Sequence, residues 1–340
     1  MRRRYLLATV TAFALALPVA AVAGTTLYGS LKYSFNHVDE DRTGGTDGLT
    51  GYDNVSLFGL KGEYGENIKA FFHLQTSANA DADAAGKAFG QRFFMGGLKG
   101  NFGQVAYGRM TNAYKFPGFA LDPFYNFSGV NAAGSISAGG ATYGLSGATN
   151  GFTDNALQYV TPKFGPVTVT GGFFVDDANT DDHGYLLGGA VDIDALNAGI
   201  VWAKNGTDVA TLPGIPADEA AIRGYATYKM DTMKFGVSLE RVNQPDPADD
   251  INYLYLTGTL TVPEMKTDFS ASVGWVSDGQ AEGIGLNIGA FYSITDQTQI
   301  FALYSGASLD DIDLVTAGEQ ESSPRVFSIG VKHDFSLSSN

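Results

Sequence analysis

A dozen or so segments of this 340-residue chain alternate apolar and polar side chains, and each gives way to a tight turn or to a polar, acidic connection. Successive side chains of a strand point to opposite faces, so each such segment has one apolar and one polar face. Repeated over segments of about ten residues, this is the signature of a transmembrane β-barrel. Only a closed barrel lets strands cross lipid with every backbone N–H and C=O paired. The pattern therefore predicts location and architecture together: strands that cross a membrane around a polar interior, through which solute can pass.

The N-terminus agrees with such a location. Arg2, Arg3 and Arg4 precede an apolar stretch from Tyr5 to Val22, and Ala21-Val22-Ala23 supplies small residues before Gly24. Residues 1–23 read as a cleaved secretory signal peptide. A retained membrane helix is the alternative, disfavoured by Thr9, Thr11 and Pro18 within the stretch. No later apolar run approaches the ~18 to 20 residues that a spanning helix needs.

Composition excludes several classes. There is no cysteine, so neither disulfides nor thiolate metal sites are available. His37, His73, His183 and His333 are far apart and lack metal-ligand spacing. No serine elbow accompanies them, so no enzyme, metal or cofactor is expected. The formal charge of −15 becomes −18 once the three signal arginines are removed, which argues against a nucleic-acid partner. Acidic loop mouths would concentrate cations, so the charge predicts a weak cation preference.

The acids collect in one set of connections: Asp39-Glu40-Asp41, Asp81 with Asp83, Asp176-Asp177 with Asp181-Asp182, Asp218-Glu219, Asp246 with Asp249-Asp250, Asp310-Asp311 with Asp313, and Glu319 with Glu321. Between them lie short turns: Gly65-Glu66-Asn67, Asn101-Phe102-Gly103, Gly165-Pro166, Asp194-Ala195, Asp231-Thr232, Pro263 to Lys266, and Thr295-Asp296-Gln297. Alternation of long and short connections predicts an all-β antiparallel barrel of 16 strands with two unlike rims. The ten prolines after the signal all fall in predicted connections or at strand ends, as a barrel without edge strands requires. Leu31, Tyr33 and Phe35 are expected to face lipid while Ser30, Lys32 and Ser34 face the lumen. Phe72 and Leu74 likewise oppose Lys69, His73 and Gln75. A stripe of Phe269, Ala271, Val273 and Trp275 opposes Asp268, Ser270 and Ser272.

These segments also carry a resemblance. Leu27-Tyr28-Gly29, Phe58 to Gly62, Gly97-Leu98-Lys99-Gly100 with Phe102-Gly103, and Gly108-Arg109 resemble successive motifs of the general porins of Gram-negative outer membranes. Asn155 to Tyr159 with Pro162, Phe291 to Thr295 with Phe301 to Tyr304, and Gly330 to Phe335 are similar to that family's later strands. The motifs occur in order over nearly the whole mature chain.

The resemblance implies a homotrimeric outer-membrane channel for passive diffusion of ions and small hydrophilic solutes, with a third loop folded into the pore. The matching loop runs from about Thr111 to Thr149 and carries the aromatics Phe116, Phe119, Phe124, Tyr125 and Phe127. Its unusual length independently suggests a functional loop. An exposed loop that contacts a neighbouring subunit is the other reading. The family pattern makes Arg92 and Arg109 wall arginines, with Arg92 inward by alternation from Phe93 and Met95. Asp122 becomes the loop acid opposing them, with Lys115 nearby and Lys32 a further lumen cation. Two wall positions that often carry arginine are Leu57 and Phe152 here, and the loop holds a single acid, so a less charged constriction is expected. Phe335 corresponds to the terminal aromatic read by the barrel-assembly machinery, although a polar tail, residues 336–340, follows it. Outer-membrane lipid and lipopolysaccharide are the expected surroundings, with divalent ions bridging acidic loops to the latter. Two other functions fit the same sequence: a substrate-selective channel with a saturable site at the constriction, and a secreted all-β adhesin or structural protein without a pore.

Overall fold

Tight turns set the register of nearly every hairpin. Asp194 and Asp231 take left-handed backbone (φ 49° and 44°), a conformation that Asp tolerates because its short polar side chain hydrogen-bonds locally. The computed structural model describes residues 24–41, 47–79, 89–131, 136–137, 140–175, 182–207, 212–278, 281–312 and 321–338. The expected signal, residues 1–23, and the acids at 81, 83, 176, 177, 181, 313 and 319 lie outside the described residues.

In chain order the elements are β1 (Thr25–Asp39), β2 (Gly48–Asp53), β3 (Leu57–Tyr64), β4 (Ile68–Ala78), β5 (Phe89–Gly100), β6 (Gly103–Met110), α1 (Lys115–Leu121), β7 (Gly129–Val130), β8 (Ile136–Ser137), η1 (Gly147–Thr149), β9 (Thr153–Val160), β10 (Val167–Val175), β11 (His183–Ile193), β12 (Leu196–Lys204), β13 (Ala220–Met230), β14 (Met233–Val242), β15 (Ile251–Val262), η2 (Pro263–Met265), β16 (Thr267–Ser277), β17 (Ala281–Ser293), β18 (Thr298–Ile312) and β19 (Arg325–Ser338). Seventeen of these strands form one sheet, and β7 and β8 form a separate hairpin. Segments β2 and β3 pair with successive halves of β1 and are one strand interrupted at Asn54 to Ser56, which leaves 16 crossings. The first and last strands close the barrel, from Thr26 opposite Ser338 to Asp39 opposite Arg325.

The two faces follow the alternation. Leu31 is 53% and Phe35 59% exposed on the outer face, whereas Ser34 between them is fully buried. Phe269, Val273 and Trp275 are exposed, while Ser270 and Ser272 are buried. Every proline among the described residues lies outside the strands. The expected polar tail does not begin after Phe335. Ser336, Leu337 and Ser338 continue β19 opposite Tyr28, Leu27 and Thr26, because the backbone of β1 still offers partners there. The space where a Cβ on Gly29 would sit is filled by the ring of Phe335, which lies 2.3 Å from that position and so across the closing seam. Residues 339–340 lie outside the described residues.

Candidate functional site

The connection from Met110 to Thr153 is far longer than a turn, and its aromatics need a surface to pack on. That surface is the inward row of the far wall. Phe124 packs against Phe291, and Phe127 against both Phe291 and Phe301. Val130 N–H donates to Ser305 Oγ at 3.0 Å, and the Tyr143 hydroxyl donates to the Ala281 carbonyl at 2.5 Å. Wall glycines make room for this approach. A Cβ on Gly274 would lie 1.9 Å from the Tyr143 carbonyl oxygen, so only glycine permits the loop to seat there. Phe124, Tyr143 and Leu145 are accordingly buried.

Both ends of the loop are tied to one buried ion pair. Arg223 of β13 and Glu240 of β14 stand opposite each other in register and meet at 2.7 Å with no solvent exposure of either side chain. Arg223 also donates to the Tyr114 carbonyl (2.8 Å) and to Thr149 Oγ1 (2.6 Å). Glu240 accepts from the Tyr114 hydroxyl (2.8 Å), Ser146 Oγ (2.5 Å) and Ser146 N–H (3.2 Å). Tyr114 opens the loop, whereas Ser146 and Thr149 are near its end. Nothing near Arg223 or Glu240 in the sequence marks this role, since their partners are up to 126 residues away.

Asp122 does not oppose the wall arginines. It is buried against the opposite wall, where it accepts from Tyr255 hydroxyl (2.7 Å), Thr142 Oγ1 (2.9 Å), Phe124 N–H (2.9 Å) and Thr142 N–H (3.3 Å). Burial pushes its carboxyl above the usual value while these donors pull it back. The one acid of the loop is thus an anchor of the loop.

The cations gather instead around an aromatic. Arg92, Lys115 and Arg109 lie 4.9, 4.7 and 5.2 Å from the ring of Phe152. Cations over an aromatic face are attracted by its quadrupole, which offsets part of the repulsion among the three. Arg92 does face inward, though not by the expected alternation. Phe93 stacks on inward His73 and Met95 packs on the inner cluster, while Phe94 is exposed outside. A bulge between the Leu74–Phe94 and Thr76–Gln91 pairs turns both Arg92 and Phe93 into the lumen. There Arg92 Nε donates to Gln75 Oε1 at 2.7 Å, and Gln75 donates to the Tyr28 hydroxyl at 2.7 Å. Arg109 stands opposite outward Phe94, and its guanidinium is bonded to both oxygens of Asp154 at 2.7 and 2.6 Å. Its charge is therefore paired.

Lys115 is buried, donates to the Gly151 carbonyl at 2.8 Å and lies 5.6 Å from the Tyr125 ring. Burial first, then the charges of Arg92 and Arg109, lower its ammonium to about 7. Lys32, on β1 of the same wall, donates to the Asn126 carbonyl at 3.2 Å and lies 4.0 Å from the Phe127 ring. Lys32, Lys61 and Lys332 line a cavity of about 650 Å³ with Gln75, Asn126 and Asp334. Further along the same wall Lys69 and Lys99 flank Glu63. A row of cations on β1, β3, β4, β5 and β19 thus faces the segment that packs on β13 to β18.

The connection after β12 also turns inward at Leu212 and Ile215. Leu212 and Ile215 are buried in the same cluster as Tyr114 and Ala148, and Asn205 binds the backbone of both. A short apolar patch within a polar connection, Leu212-Pro213-Gly214-Ile215, was the available sign of this.

A closed 16-stranded barrel, apolar outside and polar inside, with a basic wall in its lumen, defines an outer-membrane channel. The sequence model of the Gram-negative porin family matches residues 7–311, and the chain belongs to that family. Porins are channels and not enzymes, and this one is a protein of the outer membrane. The chain is similar to outer membrane porin protein 32 of Delftia acidovorans, 28% identical over 90% of this chain and 91% of that one. Its fold resembles an anion-selective porin from Comamonas acidovorans, with a TM-score of 0.73 and 20% identity over 92% of this chain and 99% of that one. It also resembles the trimer form of OmpT of Vibrio cholerae, with a TM-score of 0.63 and 15% identity over 92% of this chain and all of that one. Family membership sets aside the secreted adhesin.

Proposed function

We propose that the protein is a passive porin that prefers anions and works as a homotrimer. The carrying observation is the convergence of Arg92 and Lys115 on Phe152, with Lys32 further along the same wall and the only loop acid turned away. This reverses the weak cation preference expected from net charge. Acids at the rim act through water and a screening length of about 8 Å at physiological salt, whereas wall cations act inside a narrow, partly desolvated passage. The loop packed on β13 to β18 narrows the passage and brings ions to the basic wall. The anion-selective neighbour in Comamonas acidovorans supports the same sign, and the trimer form in Vibrio cholerae supports the assembly. Lipopolysaccharide around the acidic rim and assembly through Phe335 complete this reading.

Reversal potential of folded protein in a planar bilayer under a potassium chloride gradient tests the sign. The expected zero-current potential is that of a channel more permeable to chloride; a potential on the potassium side would sink the proposal.

Lys115 adds a pH dependence. With an ammonium near 7, it is charged below that pH and neutral above it. Chloride preference is expected to be greater at pH 6 than at pH 8.5, and Lys115→Met should diminish the difference between these two conditions. A pH dependence undiminished in the variant would assign it to another group.

A further inference from the structure

Porin loops that line a water-filled lumen are expected to show polar side chains to solvent, yet here α1 does the reverse. Its polar Lys115 is buried, whereas Phe116 and Phe119 are 58% and 41% exposed. The opposite face of α1, through Pro117, Gly118 and Leu121, is buried toward β13 and β14, and Lys234 Nζ from the wall holds the Ala120 carbonyl at 3.0 Å. The exposed phenyl rings are therefore held toward the lumen and not toward the barrel wall. An apolar patch held in water on a fixed element marks a contact surface.

The patch is continuous with the cations. Phe116 and Phe119 are 6.2 Å apart, and Phe119 meets the Tyr125 ring edge-on at 4.7 Å. Lys115 lies 5.6 Å from that ring on one side and 4.7 Å from Phe152 on the other, with Arg92 beyond. A ligand that spans these groups needs a flat apolar body and a negative end. Chloride and acetate use only the cationic part, whereas an aryl carboxylate uses both. Offset or edge-to-face stacking favours an aromatic ring over an aliphatic one of the same size.

Building on the anion preference above, we propose that α1 with Lys115 and Arg92 forms a saturable site for aromatic organic anions, aryl carboxylates in the first place. The carboxylate meets Arg92, with the buried Lys115 ammonium adding its charge from behind, while the ring lies on Phe116 and Phe119. The channel is then a general porin for inorganic ions and a facilitated path for this one class of solute.

The test uses folded full-length protein in planar bilayers in potassium chloride, with benzoate, cyclohexanecarboxylate or acetate added. Benzoate is expected to reduce the chloride current in a saturable way, at concentrations about 3- to 10-fold lower than cyclohexanecarboxylate, the range that aromatic pairing supplies. The F116L/F119L variant, altered only at exposed positions, should lose that advantage and keep the reversal potential in potassium chloride. Equal effects of benzoate and cyclohexanecarboxylate, or an advantage undiminished in the variant, would overturn the site. If the reversal potential stays on the chloride side while benzoate shows no advantage, the aromatic site alone fails; a potassium-side potential removes the anion reading beneath it.

Discussion

Glu240→Ala is expected to raise single-channel conductance and current noise while lowering the thermal stability of the barrel. The substitution leaves the Arg223 guanidinium buried without its carboxylate and releases Tyr114 hydroxyl and Ser146 from their acceptor. Removing one partner of a buried pair costs about 3 to 5 kcal/mol, because the remaining charge has lost its compensation. Most of the loss falls on the loop, since strand pairing on either side of β14 is backbone hydrogen bonding that the side chain does not make. The double variant Arg223→Met with Glu240→Leu removes both charges, so stability should largely recover while the loop ends stay untied. Conductance, noise and the temperature of barrel unfolding distinguish the cases. Conductance and stability both unchanged in Glu240→Ala would show that the loop is held elsewhere, by Asp122 with Tyr255 and by Tyr143 on Gly274.

Neutralising the basic wall should have the second large effect. In Arg92→Gln with Lys32→Gln, the preference for chloride is expected to fall sharply or reverse. A unit charge about 5 Å from a passing ion is worth about 1 kcal/mol in water and about 3 kcal/mol at the effective dielectric of a protein surface. Each charge removed therefore changes the permeability ratio by about fivefold or more. Arg92 and Lys32 carry the effect because no carboxylate bonds either one: Arg92 is held by Gln75, and Lys32 by a backbone carbonyl. Arg109→Gln should do less, since the charge of Arg109 is already paired with Asp154. The rim variant Asp249→Asn should leave the sign alone, because a solvated charge at the mouth is screened. Equal shifts from wall and rim variants would mean that net charge, not the constriction, sets selectivity.

Much of the scaffold is legible in the sequence. Alternation with a period of two put Leu31, Phe35, Phe269 and Trp275 outside and Ser34, Ser270 and Ser272 inside. Asp194 and Asp231 marked hairpins, and prolines marked the gaps between strands. These are local properties: a turn needs only neighbours that tolerate its dihedral angles, and a strand face follows from position modulo two.

The site was legible only in outline. The sequence marks Arg92, Arg109, Lys115 and Lys32 as cations but does not show their surroundings: Arg109 is paired with Asp154, and Asp122 is held by Tyr255 rather than facing the arginines. Parity hides part of this. A single bulge turns Phe93 into the lumen beside Arg92. Distance in sequence hides the rest. Asp122 finds Tyr255 133 residues away, and Arg223 and Glu240 clamp a loop that begins more than a hundred residues before them. Periodicity and turn chemistry are written along the chain and specify a closed barrel, its rims and its lipid face. Which charges remain free to meet an ion depends on which find partners across the lumen, and closure of the barrel alone brings those partners together.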